Sequence, residues 1–162
     1  MIRRYGPSPR PGQRHRVRAG AYALLRMPGT DDLLLTATGG AGDAVLQLPG
    51  GGVDAGESPI AALHREVLEE TGWIIAAPRL WRTARVFVWM ADHGMRAEKL
   101  CGLWIARPVR RVRAPSEPGH RAVVLPRRVA LHLLESPADR AAARDLPGGR
   151  APVPRRPAQP RA

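Results

Sequence analysis

The sequence has few of the features that mark secreted or membrane proteins. It holds a single cysteine, Cys101, which cannot form a disulfide within the chain, and such usage is typical of proteins made in a reducing compartment. No run approaches the roughly 18 apolar residues that a membrane-spanning helix needs. The basic N-terminus leads into proline and glycine rather than into the apolar segment of a secretory signal. We therefore expect a cytoplasmic protein that makes no contact with a membrane.

Lysine is almost absent as well, because Lys99 is the only lysine among the 26 basic residues. The formal net charge is nevertheless +12. Much of it lies towards the two ends of the chain, at Arg3, Arg4, Arg10, Arg14, Arg16 and Arg18 and again at Arg150, Arg155, Arg156 and Arg161. A GC-rich genome favours arginine, alanine, proline and glycine together, so the charge alone does not establish a nucleic-acid partner. Basic residues that border a site would still attract a polyphosphate substrate.

What the sequence does contain is a strongly acidic stretch with helical spacing between Pro59 and Thr71. On a helical wheel Glu66, Glu69 and Glu70 fall within about 100° of one another. The adjoining sector is apolar and holds Ile60, Leu63, Val67 and Thr71. Carboxylates on one helix face repel one another, so a helix does not gather them for stability. A solvated acidic helix is one interpretation; the other is a site for a hard divalent cation, Mg²⁺ or Mn²⁺.

Turn and capping residues frame this helix. Three consecutive glycines, Gly50 to Gly52, precede it and allow positive φ angles and a close approach of the backbone to a ligand. Ser58 is the predicted N-cap, with Pro59 at the first helical position. Gly72 is predicted to end the helix.

The spacing of this stretch follows a longer pattern. Gly51 is followed after five residues by Glu57, and after seven more by Arg65-Glu66-Val67-Leu68-Glu69-Glu70-Thr71-Gly72-Trp73. This order resembles the Nudix box, G-x5-E-x7-R-E-U-x-E-E-x-G-U with U apolar, at every specified position. The resemblance is specific within residues 49–73, and the predicted strands and helices extend it over about 19–135. It indicates the Nudix (MutT-like) hydrolase family.

The resemblance implies a role for each matched residue. In the family the box forms a loop, a helix and a loop that bind a divalent metal. Its metal-binding and catalytic glutamates are matched by Glu66, Glu69 and Glu70. The carbonyl of Gly50 matches a further metal ligand. Glu57 and Arg65 match a supporting salt bridge that, with the turn at Gly51, orients the loop and the helix.

Candidates outside the box depend on weaker signals. In Nudix proteins an acidic residue from a loop late in the chain often completes the site; Glu117 is the best-placed candidate and Glu98 the alternative. Substrate contact is assigned to Arg65 and to two aromatic residues, Phe87 and Trp89, which offer a stacking surface for a nucleobase. Aromatic residues in strands also commonly fill a core, which is the alternative for this pair.

The chain divides into a basic, proline-rich arm (residues 1–18), a hydrolase domain (19–145) and a disordered arginine- and proline-rich tail (146–162). Strands are predicted at 21–27, 33–38, 45–48, 73–76, 80–91, 95–108 and 122–125, and helices at 58–71, 127–135 and 138–144. Pro78 is predicted to break the chain, and residues 92–94 to form a tight turn. The order of elements predicts an α/β (α+β) fold with a mixed sheet, in agreement with the α/β/α sandwich that the resemblance implies.

The expected activity is Mg²⁺-dependent hydrolysis of a nucleoside diphosphate linked to another group, by attack of water on phosphorus. A 5′-RNA pyrophosphohydrolase, with the arginine-rich surface holding the RNA, is an alternative. A non-catalytic nucleotide sensor of the same fold is a second alternative, although such sensors commonly lose box glutamates and none is missing here. The group beyond the diphosphate and the oligomeric state, a homo-oligomer included, stay open.

Overall fold

The structure is a computed structural model that describes residues 2–9, 11–40, 42–90 and 94–148. Its strands are β1 (Arg3–Tyr5), β2 (Arg16–Arg26), β3 (Asp32–Thr38), β4 (Val45–Gln47), β5 (Gly50–Gly52), β6 (Trp73–Met90), β7 (Met95–Arg111) and β8 (Arg121–Pro126). Its helices are α1 (Pro59–Thr71), α2 (Arg127–Leu133) and α3 (Pro137–Asp145). None of these helices is long and apolar enough to span a bilayer. The predicted α+β fold class is confirmed.

The strands form one mixed sheet in the order β1-β6-β7-β2-β3-β4. β1 runs parallel to β6 and β2 runs parallel to β7, while β6 and β7 form the predicted antiparallel hairpin. One edge of β2 is shared, because β5 pairs with its residues 20–22 and β3 with residues 25–26. The glycine strand β5 is therefore held in the sheet, directly before the loop that leads to α1.

Apolar side chains pack on both faces of the sheet. On one face, Leu63 and Val67 of α1 join a buried cluster with alternate residues of β2, namely Ala21, Ala23 and Leu25. On the other face, Ala130 of α2 and Ala142 of α3 join a cluster that includes Leu24 and Leu35. Because successive side chains of β2 point to opposite faces, one strand contributes to both layers. The result is a sheet with helices on both faces.

Helix α1 has the predicted boundaries. Ser58 Oγ accepts a hydrogen bond from Ala61 N at 3.1 Å, and Gly72 ends the helix with a φ of 74°. Within its apolar sector Leu63, Val67 and Thr71 are buried, whereas Ile60 is 44% exposed. The buried side of the helix includes Ala62 and Glu70, which shifts its centre away from Ile60.

Strand β6 is continuous from Trp73 to Met90, so the predicted break at Pro78 is wrong. Proline cannot donate a hydrogen bond to a neighbouring strand. A shift in register between Ala76 and Arg79 removes Pro78 from the pairing with β7, and Ala77 takes a φ of 51°. This irregularity lets the strand continue past the proline. Of the tight turn predicted at residues 92–94, residues 92 and 93 lie outside the described residues.

The C-terminal end of α1 holds the segment of residues 112–120 against the box. The carbonyl of Glu69 accepts hydrogen bonds from Ser116 N at 2.8 Å and from Glu117 N at 3.1 Å. Gly72 packs directly against this segment, because a β-carbon at position 72 would be 2.0 Å from the carbonyl oxygen of Arg113. Glycine is therefore required at position 72 by its left-handed backbone and by this close approach.

A buried carboxylate joins α3 to the chain that leads into β5. Asp139 is 9% exposed, and its Oδ2 accepts a hydrogen bond from Leu48 N at 3.2 Å. Burial raises the pKa of Asp139 to about 6, although the hydrogen bonds from Leu48 and Ser136 act in the opposite direction. Removal from water destabilises the ionised carboxylate more than the neutral carboxyl, which is why burial raises the pKa.

We predict that Gly72→Ala destabilises the fold by about 2–4 kcal/mol, through backbone strain and the contact with Arg113. Gly29→Ala is the matched control, because Gly29 also has a positive φ, of 78°, but no atom lies within 4 Å of its β-carbon position. The control should lose only about 1 kcal/mol. Chemical denaturation measures both losses, and equal losses would show that the segment yields to the added methyl group.

We also predict that Asp139→Asn removes a pH dependence from stability. The pKa of Asp139 is about 6 in the folded state, above its ordinary value of 3.8. Its contribution to stability is therefore present in full below pH 3.8, falls as the pH rises from 3.8 to 6, and is lost above pH 6. The asparagine oxygen can still accept from Leu48 N. The stability of the variant relative to wild type should therefore increase by about 2–3 kcal/mol from acidic to neutral pH. Parallel urea-denaturation profiles across pH would contradict this.

Candidate active site

The glycine strand β5 meets two glutamates of α1. Gly50 N donates a hydrogen bond to Glu70 Oε2 at 2.9 Å. A β-carbon at Gly51 would lie 2.5 Å from the carboxylate of Glu66. A larger residue at position 51 would displace this carboxylate, so glycine here leaves the Glu66 side chain in its present position.

Arg65 lies at the centre of the box, and all five of its N–H groups donate hydrogen bonds. Nε and Nη2 donate to the two carboxylate oxygens of Glu57 at 3.0 and 2.9 Å, and Nη2 also donates to the carbonyl of Gly52 at 3.1 Å. Nη1 donates to Glu66 at 2.8 Å and to Glu69 at 3.3 Å. These contacts use the whole donor set of a guanidinium. The geometry is that of a supporting residue, and substrate contact by Arg65 stays a prediction.

Glu117 joins the box glutamates in two overlapping clusters. One consists of Glu66, Glu69 and Glu117, and the other of Glu70, Glu117 and His120. Within each cluster, one potential ligand atom per residue lies within 4.8 Å of the others. His120 Nδ1 lies 3.3 Å from Glu70 Oε1. The segment of residues 112–120 therefore adds two side chains to the acidic face of α1.

The protein compensates the charge of these carboxylates only in part. Burial, with the nearby carboxylates of Glu117 and Glu66, raises the pKa of Glu70 to about 8 against the lowering effect of the hydrogen bond from Gly50 N. Burial also raises the pKa of Glu66, against the lowering effect of Arg65. Both shifts oppose ionisation, and a bound cation would reverse them.

The donor set fits a hard divalent cation. Four of the five side chains in the two clusters are carboxylates, and Mg²⁺ and Mn²⁺ prefer oxygen ligands. Glu70, which is 5% exposed, has one oxygen on Gly50 N and the other beside His120. The residues that could hold a metal are thus Glu66, Glu69, Glu70 and Glu117, with His120 next to them.

The other sequence candidates lie elsewhere. Glu98 belongs to neither cluster; its Oε1 lies 2.9 Å from Arg85 Nε. Phe87 is 6% exposed and packs edge-on against His15, whereas Trp89 is 55% exposed. Both aromatic residues lie near the end of β6 distant from α1 in the chain. Their contact with substrate stays a prediction.

His120 is the site residue that sequence reasoning missed. A lone histidine in a segment rich in proline and glycine has no spacing that indicates a role. Its neighbours come from distant parts of the chain, since Nδ1 lies 3.3 Å from both Thr36 Oγ1 and Glu70 Oε1. The available signal was its position three residues after Glu117, within the segment already expected to reach the site.

Comparison with known proteins bears on the same region of the chain. The family model of the NUDIX domain matches residues 14–146. A NUDIX hydrolase from Nitrosomonas europaea has a similar structure, with 24% identity and a TM-score of 0.63 over 80% of this chain and 88% of that chain. A MutT NUDIX hydrolase from Burkholderia pseudomallei has 24% identity and a TM-score of 0.59 over 82% of this chain and 100% of that chain. No curated protein matches the chain. The two structures share the fold of this chain. Because the family match covers most of the sequence, the chain belongs to the Nudix family and is a hydrolase of the pyrophosphohydrolase type.

Proposed function

We propose that the protein is a cytoplasmic, Mg²⁺-dependent pyrophosphohydrolase that splits a nucleoside diphosphate derivative into a nucleoside monophosphate and a phosphorylated remainder. The observation that carries this proposal is the convergence of Glu117 with Glu66, Glu69 and Glu70 in overlapping clusters of atoms within 4.8 Å. A diphosphate is highly charged, so its hydrolysis requires positioning and neutralisation more than a covalent nucleophile.

The residues that would hold Mg²⁺, or Mn²⁺ in its place, are the four clustered glutamates and the carbonyl of Gly50. When bound, the metal supplies neutralisation of the phosphate oxygens and a bound water of lowered pKa. Gly50 would contribute its carbonyl to the metal, while its N–H donates a hydrogen bond to Glu70 Oε2 at 2.9 Å. The fixed backbone would limit how far the carboxylates rearrange on binding.

The four glutamates differ in their surroundings, and this suggests different duties. Glu66 and Glu70 have side chains 13% and 7% exposed and are held by Arg65 and Gly50. The side chain of Glu117 is 41% exposed, the most of the four, so we assign to it, beside its contact with the metal, acceptance of the proton from the attacking water. Arg65 and Glu57 keep the loop in place against the helix.

The catalytic unit of the proposal is residues 19–145, with the arm 1–18 contributing β1 and the first residues of β2. The box specifies phosphorus chemistry, and residues outside it select the group beyond the diphosphate. Arg65, Phe87 and Trp89 are retained as candidates for substrate contact. Selection of the substrate would take place at the N-terminal arm and at the part of β6 that carries Phe87 and Trp89.

We predict that Glu70→Gln lowers kcat by about 10²–10⁴-fold while the fold is retained, because glutamine keeps the size and the acceptor for Gly50 N but removes the charge. Glu135→Gln, on an exposed residue, is the matched control and should behave as wild type. Release of nucleoside monophosphate is measured on nucleoside triphosphates, ADP-ribose and dinucleoside polyphosphates in excess Mg²⁺. Unchanged turnover in Glu70→Gln, or equal losses in both variants, would contradict the proposal.

A further inference from the structure

A buried hydroxyl lies next to the two acidic clusters, in a layer that is otherwise apolar. Thr36 of β3 is 1% exposed. Leu34, two residues before it and therefore on the same face of the strand, belongs to the apolar cluster under α1. Ala122, which is paired with Thr36 across β8, packs against that cluster too. A hydroxyl buried among apolar groups is destabilising unless it forms a hydrogen bond, so this position requires a specific partner.

The partner of Thr36 is the imidazole of His120. Thr36 Oγ1 and His120 Nδ1 are 3.3 Å apart, and Nδ1 lies at the same distance from Glu70 Oε1. The side chains of His120 and Glu70 are 15% and 7% exposed, so the three groups meet where water has little access. The other ring nitrogen, Nε2, lies 3.8 Å from Glu117 Oε1. One ring therefore contacts a hydroxyl on one side and lies between two carboxylates of the site.

The imidazole joins three separate parts of the chain. Thr36 belongs to β3 and Glu70 to α1, while Glu117 and His120 belong to the segment of residues 112–120. Within that segment His120 N donates a hydrogen bond to the carbonyl of Glu117 at 3.2 Å, which fixes the backbone of the two residues relative to each other. The position of the ring thus sets how the segment meets the acidic face of α1.

The contacts also indicate how the ring would orient Glu70. A carboxylate oxygen can only accept, so when Glu70 is ionised the hydrogen that it shares with the ring is carried by Nδ1. Gly50 N donates to the other oxygen at 2.9 Å. Each oxygen of Glu70 then has one donor and keeps a lone pair for a cation. Hydrogen-bond partners of this kind orient metal ligands, and their loss lowers metal affinity or activity by about 10–100-fold.

We propose that Thr36 and His120 are positioning residues of the active site. Thr36 holds the imidazole, and the imidazole holds Glu70 and Glu117 in the orientation in which both can contact one metal. Thr36 therefore acts through His120. The consequence for metal binding and catalysis rests on the proposed function, whereas the contact among Thr36, His120 and Glu70 does not.

The first test is the affinity of the full-length protein for Mn²⁺, with free Mn²⁺ followed by electron paramagnetic resonance. Thr36→Val keeps the shape of the side chain and removes the hydroxyl, so it should weaken binding by about tenfold. Thr36→Ser returns the hydroxyl and should restore most of the affinity. Thr38→Val is the matched control, because Thr38 is the next residue on the same face of β3, and it should bind Mn²⁺ as wild type does.

Variants of His120 separate the two ring nitrogens. The amide of asparagine places a donor near the position of Nδ1, and the amide of glutamine places one near Nε2. His120→Asn should therefore keep most of the Mn²⁺ affinity, while His120→Gln and His120→Ala should lose about 10–100-fold. In the His120→Ala protein, Thr36→Val should have no further effect, because the two residues act as one unit. His64→Ala, at an exposed histidine of α1, is the control and should bind as wild type does.

Spectroscopy distinguishes a positioning residue from a metal ligand. Electron spin echo envelope modulation of the Mn²⁺-loaded protein should show no nitrogen of His120 bound to the metal, and a bound nitrogen would overturn the proposal. Nitrogen-edited proton spectra recorded in Mg²⁺ should place the ring hydrogen on Nδ1. This hydrogen should exchange faster with water in Thr36→Val than in wild type or Thr36→Ser.

The outcomes separate this inference from the proposed function. Wild-type Mn²⁺ affinity in both Thr36→Val and His120→Ala, in a protein that hydrolyses nucleotides, would overturn the inference alone. Equal losses in Thr36→Val and Thr38→Val would assign the effect to repacking of β3 and would also overturn it. A wild-type protein that binds no Mn²⁺ and hydrolyses no nucleotide, but protects the Nδ1 hydrogen, would overturn the proposed function and leave the contact in place.

Discussion

Repulsion among carboxylates is the constraint on which the site depends. Glu66, Glu69, Glu70 and Glu117 form overlapping clusters with ligand atoms within 4.8 Å, and burial opposes ionisation of Glu70 and Glu66. Such an arrangement is unfavourable in the protein alone, so other interactions must hold it in place. A divalent cation would convert this repulsion into binding energy, which is why crowded carboxylates indicate a metal rather than a stabilising surface.

Two arrangements counter the repulsion. Arg65 directs all five N–H groups into the box, so that Glu57, Glu66 and Glu69 are fixed by one guanidinium. The end of α1 supplies the second, because the carbonyl of Glu69 accepts from the backbone of Ser116 and Glu117. A residue that belongs to the acidic face thus also holds the segment that brings in the last carboxylate. The sheet contributes through its glycine strand, in which Gly50 N donates to Glu70 and Gly51 leaves room for the carboxylate of Glu66.

The sequence predicted local features well and long-range contacts poorly. The capping of α1 by Ser58 and Gly72 follows from residue types that act within one turn, and the mixed sheet follows from strand patterns. Exposure of Ile60 and the path of β6 past Pro78 depend on where neighbouring elements pack, which no local pattern contains. His120 shows the same limit at the site, because it meets Glu70 and Thr36 only in the folded chain.

We expect α1 and the segment of residues 112–120 to form one metal site together. Titration of Mn²⁺ into wild type, Glu117→Gln and Glu98→Gln, with free Mn²⁺ followed by electron paramagnetic resonance, tests it most directly. Glu117 belongs to both clusters, whereas Glu98 lies beside Arg85. The affinity for Mn²⁺ should be about 10–100-fold weaker in Glu117→Gln and unchanged in Glu98→Gln. Wild-type affinity in Glu117→Gln would contradict it.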